Sequence, residues 1–174
     1  MADQLVSAPP AELTAAEWRA AMGGFPSGVT VVTSWRDGAP VGSTVSAFCS
    51  VSMKPPLLLV CLDLSNPLCA PIAACGVFGV NILAHDGQDL AKRFAFAPEA
   101  ERFDGQSFRH VEGGAPRLDA APVFIDCTLH SSFTAGDHLV VVGRGLRADR
   151  RASQAPLIHY TGAFAALAPA GRPA

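Results

Sequence analysis

The feature that most constrains the fold of this chain is that its β-prone segments occur in pairs joined by turns. The segment GVTVVTSW (28–35) is apolar and β-branched, Asp37-Gly38 supplies a tight turn, and residues 41–53 return as a second strand. The segments PVFIDCTLHSSF and HLVVVGRGLRADR flank the turn at 134–137 in the same way. Hairpins build antiparallel sheets, whereas parallel sheets need regular alternation of strand and helix. The sequence therefore predicts a mainly β protein, with a closed antiparallel barrel favoured.

Two further apolar runs are short enough to be buried strands of the same sheet. They are LLLVCLDL (57–64), which we expect to lie inside the sheet, and VFGVNIL (77–83). Residues 97–121 have no periodicity and gather Pro, Gly and charge. They are predicted to form a long connection, and long connections in compact domains are often functional.

Three short helices are predicted beside the strands. Thr14 and Glu17 have the spacing of a capping box for a helix that ends at the glycine pair 23–24, with Trp18 and Met22 facing the core. Asn66-Pro67 and Gly76 have the residue types that begin and end a second helix.

The third helix is expected over GQDLAKRFA, after an Asp86 cap. Leu90 and Phe94 are four residues apart and share one face, whereas Lys92 and Arg93 point elsewhere. This helix is therefore amphipathic, with positive charge near its end.

One segment carries an unusual row of hydroxyl groups. In STVSAFCSVS (43–52), Thr44, Ser46, Ser50 and Ser52 alternate with small apolar residues, which is the period of a β-strand. Same-face neighbours on a strand are roughly 6.6 Å apart, so such a row could follow an elongated polar ligand. Hydroxyls on a solvated strand face are also ordinary, and the pattern by itself favours that interpretation.

Length, charge and composition narrow the class of protein. The chain has 174 residues, a formal net charge of −2 and 16% charged residues, so it lacks the basic character of a nucleic-acid binder or a polybasic membrane anchor. The first ten residues have neither the basic nor the apolar region of a secretion signal, and no apolar run is long enough to span a membrane. We expect a cytoplasmic protein with one domain over residues 11–165 and disordered tails at 1–10 and 166–174.

The residue types that often mark metal sites and hydrolase centres have no diagnostic spacing here. The five cysteines form no C-x-x-C pair and lie mostly in apolar runs, so we expect buried, reduced thiols. The five histidines show no metal-ligand spacing, and no G-x-S-x-G or G-K-[ST] motif is present. No metal site and no acid–base or nucleophilic side chain is therefore predicted.

Four blocks, in this order, resemble the flavin reductase-like family, the short reductases that supply reduced flavin to two-component monooxygenases. They are FPSGVTVVTS, GSTVSAFCSVSMKPPLLLV, CGVFGVNILAHDGQDLAKRF and AGDHLVVVG, and the resemblance covers roughly residues 14–165. It implies a mainly β fold, a split β-barrel of the FMN-binding, Greek-key type with a few short peripheral helices. It also implies a homodimer that uses NADH or NADPH to reduce FMN or FAD for a partner monooxygenase.

The resemblance also assigns roles to individual residues. On the hydroxyl strand and the elements that follow, it implies flavin contacts from Thr44, Val45, Ser46, Ala47, Ser50, Ser52, Phe78, Asn81, Gln88, Arg93 and Phe94. Arg93 is the candidate for the flavin phosphate, because a guanidinium suits that group; a solvated helix face is its alternative role. Gly136, Asp137 and His138 match the turn that the family associates with nicotinamide, and a plain hairpin turn is the alternative.

Three other functions remain open. A non-catalytic flavin-binding electron carrier or sensor would need the hydroxyl strand but not the nicotinamide turn. A dedicated flavin-dependent oxidoreductase would use the connection 97–121 to shape a further substrate pocket. A structural dimer with a solvated hydroxyl face would bind no flavin.

Overall fold

The computed structural model describes residues 12–151 and 154–167. The predicted tail 1–10 and most of the predicted tail 166–174 lie outside these residues, and so does the start of the predicted domain. The helices are α1 (Ala15–Gly23), α2 (Cys69–Cys75) and α3 (Gln88–Phe96), with a 3₁₀ turn at Glu99–Glu101. The strands are β1 (Ser27–Gly28), β2 (Thr30–Arg36), β3 (Ala39–Val45), β4 (Phe48–Met53), β5 (Pro56–Asp63), β6 (Val77–Ile82), β7 (Phe108–Arg109), β8 (Arg117–Leu118), β9 (Val123–Ala135), β10 (His138–Arg150), β11 (Ile158–Tyr160) and β12 (Ala163–Ala165).

Seven strands form one antiparallel sheet in the order β3-β2-β6-β9-β10-β5-β4. Both predicted hairpins are present as β2–β3 and β9–β10. Asp37 and Gly38 have φ values of 51° and 79°, the left-handed pair that matches a tight turn to the twist of its strands. β5 lies inside the sheet between β10 and β4, as predicted.

The single strand predicted over 41–53 is wrong. β3 ends at Val45 and β4 begins at Phe48, and these two strands lie at opposite edges of the sheet. Alternation of small polar and apolar residues continues through Ser46 and Ala47, so the sequence pattern does not show that the chain passes here from one edge of the sheet to the other. The hydroxyls of Thr44 and of Ser50 therefore stand on different strands.

The two-residue link between β3 and β4 requires the sheet to curl. In a flat sheet the edge strands would be about 29 Å apart, since neighbouring strands are spaced by about 4.8 Å. Two residues bridge at most about 11 Å between Val45 and Phe48. At the junction, the amide of Cys61 in β5 donates to the carbonyl of Ala47 at 2.9 Å, and Asn66 Nδ2 donates to Ser43 Oγ at 3.1 Å. These contacts bring the two edges together.

Two apolar cores lie on the two faces of the curled sheet. Val32 of β2 and Val45 of β3 belong to the inner core with Val60, Phe78 and Val141, and Phe48 of β4 packs against it, so both edge strands contact one cluster. The second core lies beneath α3 and contains Val31, Leu90, Phe94 and Leu157. Adjacent residues of β2 thus enter different cores, which is the period of a strand covered on both faces.

α1 has the predicted capping box but not the predicted packing. Thr14 Oγ1 accepts from the Glu17 amide, and Glu17 Oε2 accepts from the Thr14 amide. Trp18 and Met22, however, are 57% and 50% exposed, and α1 has no buried residue. Helical spacing shows that the two side chains share a face but not that another element covers it.

The other two helices also differ from expectation only at their ends. Gly76 ends α2 at φ 70°, as predicted, but the predicted start at Asn66-Pro67 is wrong, because α2 begins at Cys69 after Leu68. Asn66 Oδ1 instead accepts from the Leu68 amide in the turn that precedes the helix. α3 begins after Gly87, and no side chain caps it, so the Asp86 cap is wrong. Leu90 and Phe94 are buried as predicted. Gly42 lets α3 approach β3, since a Cβ there would lie 2.7 Å from the Phe94 ring.

The connection 97–121 is held to the sheet by buried polar groups. Asn81 Oδ1 accepts from the Leu118 amide at 2.8 Å, and Thr33 Oγ1 donates to the Pro116 carbonyl at 2.6 Å. Asp126 Oδ1 accepts from the Ala115 amide at 3.0 Å. Residues 114–118 of this connection are therefore packed firmly against the sheet.

Candidate functional site

A cavity of about 540 Å³ lies between β3, α3 and the β11–β12 hairpin. Its volume is within the range of sites for small organic ligands. The residues that line it combine hydroxyl, amide, aromatic and basic side chains with small apolar ones: Val29, Thr44, Ser46, Gln88, Ala91, Lys92, Ala95, Phe96, His159, Gly162, Ala163 and Phe164.

Three of the predicted site residues meet in this cavity: Thr44, Ser46 and Gln88. Thr44 Oγ1 donates to the Ala91 carbonyl at 2.7 Å and so holds α3 against β3. With its proton committed, this hydroxyl can only accept a hydrogen bond from a ligand. Ser46 and Gln88 are exposed side chains at the rim.

The link residues Ser46 and Ala47 offer backbone donors at the same place. Among the described residues, neither of their amides donates a hydrogen bond. Both residues are exposed, so these N–H groups can reach a carbonyl or a ring nitrogen of a ligand. The crossing between the sheet edges thus creates a donor pair that a continuous strand would not have.

Sequence analysis missed the basic and aromatic part of the cavity. Lys92 lines it from α3, whereas the helical pattern had directed this side chain elsewhere. His159 lines it from β11, with its ring edge-on to Phe164 at a centroid distance of 6.3 Å. β11 lies far from α3 in the chain, so no local signal could have joined these residues.

Three predicted flavin contacts lie in the interior instead. Phe78 is fully buried in the inner core, and Phe94 is fully buried beneath α3 against the Phe103 ring, at a centroid distance of 5.0 Å. Asn81 is also fully buried, and its amide group bonds to Val31, Thr33 and Leu118. These residues shape the wall behind the site and do not line the cavity.

The remaining predicted side-chain contacts do not line the cavity either. Val45 is buried in the inner core. Ser50 and Ser52 lie on β4 on either side of a bulge, and Ser52 Oγ accepts from the Lys54 amide at 3.2 Å. Arg93 is half-buried beside the cavity, and its Nη1 donates to the Glu101 carbonyl at 2.9 Å.

The predicted nicotinamide turn forms the tip of the β9–β10 hairpin, with Gly136 at φ 60°. His138 Nδ1 lies 2.7 Å from Asp137 Oδ1, and this hydrogen bond is the main cause that lowers the pKa of the Asp137 carboxyl. This hydrogen bond holds the imidazole ring in one orientation at the tip of the hairpin.

The turn lies across β5 from the link residues. Val140 pairs with Cys61, whose amide donates to Ala47, and His138 is two residues further along β10. From strand spacings, the His138 backbone is about 12 Å from that of Ala47. Two bound groups could therefore approach each other over the end of β5.

The described thiols differ in burial and in pKa. Burial raises the pKa of the Cys127 thiol to about 12, helped by Asp126 beside it. Cys49 and Cys75 are exposed, against the expectation of buried thiols. In residues 12–151 and 154–167, no group of three His, Cys, Asp or Glu side chains could hold a metal ion, and no helix is long and apolar enough to cross a membrane.

The fold and cavity together define a mainly β protein with an open pocket lined by hydroxyl, amide, aromatic and basic side chains. Residues 22–168 match the family described as "Flavin reductase like domain". The chain belongs to this family, which confirms the resemblance seen in its sequence.

Known relatives span nearly the whole chain. An actinorhodin polyketide dimerase of Streptomyces coelicolor is 40% identical over 150 residues, which cover 86% of this chain and 84% of that protein. The flavin-dependent monooxygenase reductase subunit HsaB of Rhodococcus jostii is 34% identical over 152 residues, 87% of this chain and 77% of that protein. The structure of the NADH:FAD oxidoreductase SgcE6 of Streptomyces globisporus, in complex with NAD and FAD fragments, superposes with a TM-score of 0.85 at 30% identity, covering 93% of this chain and all of that one.

Proposed function

We propose that this protein is an NAD(P)H-dependent flavin reductase that delivers reduced FMN or FAD to a partner monooxygenase. The observation that carries the proposal is the cavity, because three predicted residues of the family's flavin strand and following helix, Thr44, Ser46 and Gln88, meet in it. Relatives named as a monooxygenase reductase subunit and as an NADH:FAD oxidoreductase support the same chemistry.

The residues of the cavity fit a flavin. The exposed amides of Ser46 and Ala47 suit the carbonyls of the ring, and the hydroxyl of Ser46 and the amide of Gln88 suit the ribityl chain. Phe96 and Phe164 provide apolar walls. Ser50 and Ser52 on β4 remain predicted contacts outside this cavity.

When bound, the two cofactors supply the redox chemistry, in which a hydride passes from nicotinamide to flavin. The chain supplies binding and orientation. The amides of Ser46 and Ala47 are placed to stabilise negative charge at the carbonyl end of the ring. His138, fixed by Asp137, positions the nicotinamide from the other side of β5.

The openness of the cavity supports a flavin that enters and leaves. Gln88, Lys92 and Phe96 are exposed at its rim, and Phe96 is 84% exposed. A tightly held cofactor would instead be largely enclosed. The proposed product is therefore free reduced flavin.

We further propose that the curled sheet is a split β-barrel and that the protein is a cytoplasmic homodimer. The barrel is supported by the two-residue link and by the core that both edges share. The dimer is supported by an apolar outer face on β5, β9 and β10, to which Leu59, Phe133 and Val140 contribute and which no described helix covers. Phe133→Asp should shift the mass in solution from dimer to monomer, whereas Leu167→Asp should not.

A second candidate is a dedicated flavin-dependent oxidoreductase that retains its flavin. The relative named as a polyketide dimerase favours it, because that name describes an organic substrate other than flavin.

Steady-state oxidation of NADH and of NADPH in air, with added FMN, with added FAD and with neither, tests the proposal. We expect oxidation only when flavin is added, and a rate that saturates with its concentration. Oxidation that is independent of added flavin would favour the second candidate, and no oxidation under any condition would refute both.

A further inference from the structure

Two carbonyls in the link between β3 and β4 are held by backbone donors. The Ser46 carbonyl accepts from the Phe48 amide at 3.0 Å, and the Ala47 carbonyl accepts from the Cys61 amide at 2.9 Å. In a trans peptide the N–H points away from the C=O of the same unit, so the first of these bonds directs the Ala47 N–H to the opposite side. The backbone itself therefore fixes the Ala47 donor.

A buried side chain holds the peptide that carries the Ser46 amide. This amide shares a peptide unit with the Val45 carbonyl, and Thr30 Oγ1 donates to that carbonyl at 2.7 Å. The hydroxyl thus holds the plane of the peptide from the side opposite to the exposed Ser46 N–H. Thr30 is 1% exposed and does not line the cavity, so it acts on a ligand through the peptide that it holds.

The direction of these amides matters most when the bound flavin is reduced. Hydride transfer leaves negative charge at the carbonyl end of the flavin ring, and preorganised N–H groups stabilise that charge without having to reorient. The neutral oxidised ring gains less from the same donors, because a hydrogen bond to a charged group is roughly twice as strong as a neutral one. Loss of the amide's orientation should therefore weaken reduced flavin more than oxidised flavin.

We propose that Thr30 is a positioning residue of the flavin site, whose buried hydroxyl directs the Ser46 amide at the charge of reduced flavin. This rests on the proposed function, because it takes the cavity to be a flavin site. The Thr30 side chain itself touches neither the flavin nor the nicotinamide.

Thr33 provides a matched control on the same strand. It is fully buried on β2, and its hydroxyl also donates to a backbone carbonyl, that of Pro116 at 2.6 Å. Its oxygen also accepts from Asn81 Nδ2 at 3.1 Å, so Thr33→Val should disturb the fold at least as much as Thr30→Val. Pro116 lies in the connection 97–121 and not in the link, so a purely structural effect would be the same at both threonines.

The test is the Kd of FMN in its oxidised and its reduced form, measured by equilibrium dialysis without oxygen after reduction with dithionite. The phosphate is the same in both forms, so its contribution cancels in the ratio of the two Kd values. Thr30→Val, Thr30→Ser and Thr33→Val are compared with the wild type, and urea denaturation records the stability of each.

We expect Thr30→Val to raise the Kd of reduced FMN by about tenfold and that of oxidised FMN by no more than about twofold, as for a misdirected hydrogen bond to a charged group. Thr30→Ser retains the hydroxyl donor and should restore the wild-type ratio. Thr33→Val should keep that ratio while losing stability. An equal rise of both Kd values in Thr30→Val, or the same change of ratio in Thr33→Val, would overturn the proposal.

Amide hydrogen exchange in the wild type gives a second readout that needs no variant. Exchange at Ser46 should be slowed by saturating oxidised FMN and slowed further by reduced FMN. Equal protection of this amide by both forms, or none by either while FMN is bound, would overturn the proposal. A wild-type protein that binds neither form of flavin would instead refute the proposed function.

Discussion

The pairing of Asp126 with Arg147 should make one partner far more costly to remove than the other. Asp126 is 1% exposed, and its carboxylate accepts from the Ala115 amide at 3.0 Å, from Arg147 Nε at 3.1 Å and from Arg147 Nη2 at 2.6 Å. The side chain of Arg147 is 52% exposed. A charge left unpaired is expensive only where water cannot reach it.

Two substitutions separate these costs. Arg147→Met leaves a buried carboxylate with the Ala115 amide as its remaining donor, and breaking a buried pair in this way costs about 3–5 kcal/mol. Asp126→Asn retains an acceptor for that amide and leaves a guanidinium that water can solvate, so we expect a loss of about 1–2 kcal/mol. Arg144→Met, at an exposed arginine of the same strand, should stay within about 0.5 kcal/mol of the wild type.

Urea denaturation measures these differences through the midpoint at constant m. Trp35 is a suitable probe, because its Nε1 donates to the Gly114 carbonyl at 2.8 Å, next to the anchored segment. If Asp126→Asn destabilises the protein as much as Arg147→Met, burial of the carboxylate is not the source of the cost and the reasoning fails.

Three further predictions concern the nicotinamide turn, the core and the thiols. His138→Ala should raise KM for NADH or lower kcat while leaving the Kd for FMN nearly unchanged. Asp137→Asn should have a smaller effect in the same direction, since it only removes the carboxylate that orients the His138 ring. An equal loss of FMN affinity would contradict the assignment of His138 to nicotinamide. Gly143→Ala should lower the free energy of unfolding in urea by about 1–3 kcal/mol, because a Cβ there would overlap the buried Phe78 ring. Gly145→Ala on the same strand is the control, since a Cβ there has room. An equal loss of stability in both variants would contradict the packing argument. At pH 8, the Cys127 thiol, with a pKa of about 12, is ionised in about one molecule in ten thousand. Mass spectrometry should therefore show modification by iodoacetamide at the exposed Cys49 and Cys75 long before Cys127 reacts. Early modification of Cys127 in the native protein would contradict its burial.

Sequence patterns predicted correctly those structural features whose physical cause lies within a few neighbouring residues. The turn at Asp37-Gly38 follows from left-handed backbone angles, and the capping box at Thr14 from two hydrogen bonds within four residues. These features need no knowledge of the rest of the chain.

Features that depend on distant contacts could not be predicted in this way. Alternation through Ser46 and Ala47 does not reveal that the chain crosses from one sheet edge to the other. The spacing of Trp18 and Met22 shows that they share one face of α1 but does not show whether another element packs against that face.

The same limit applies to the site. The resemblance placed Phe78 and Asn81 at the pocket, but the side chains themselves point into the interior, one to apolar neighbours and the other to buried backbone groups. Lys92 and His159 meet only because β11 folds back beside α3. Tertiary structure, not local sequence, brings the charge of the cavity together.

The most direct test of the account is an anaerobic reaction of the purified protein, at low concentration, with excess NADH and a large excess of FMN or FAD. We expect the visible absorbance of many equivalents of flavin per protein to be lost, because the open cavity releases its product. Loss of no more than one bound equivalent, with either flavin and either nicotinamide nucleotide, would contradict it.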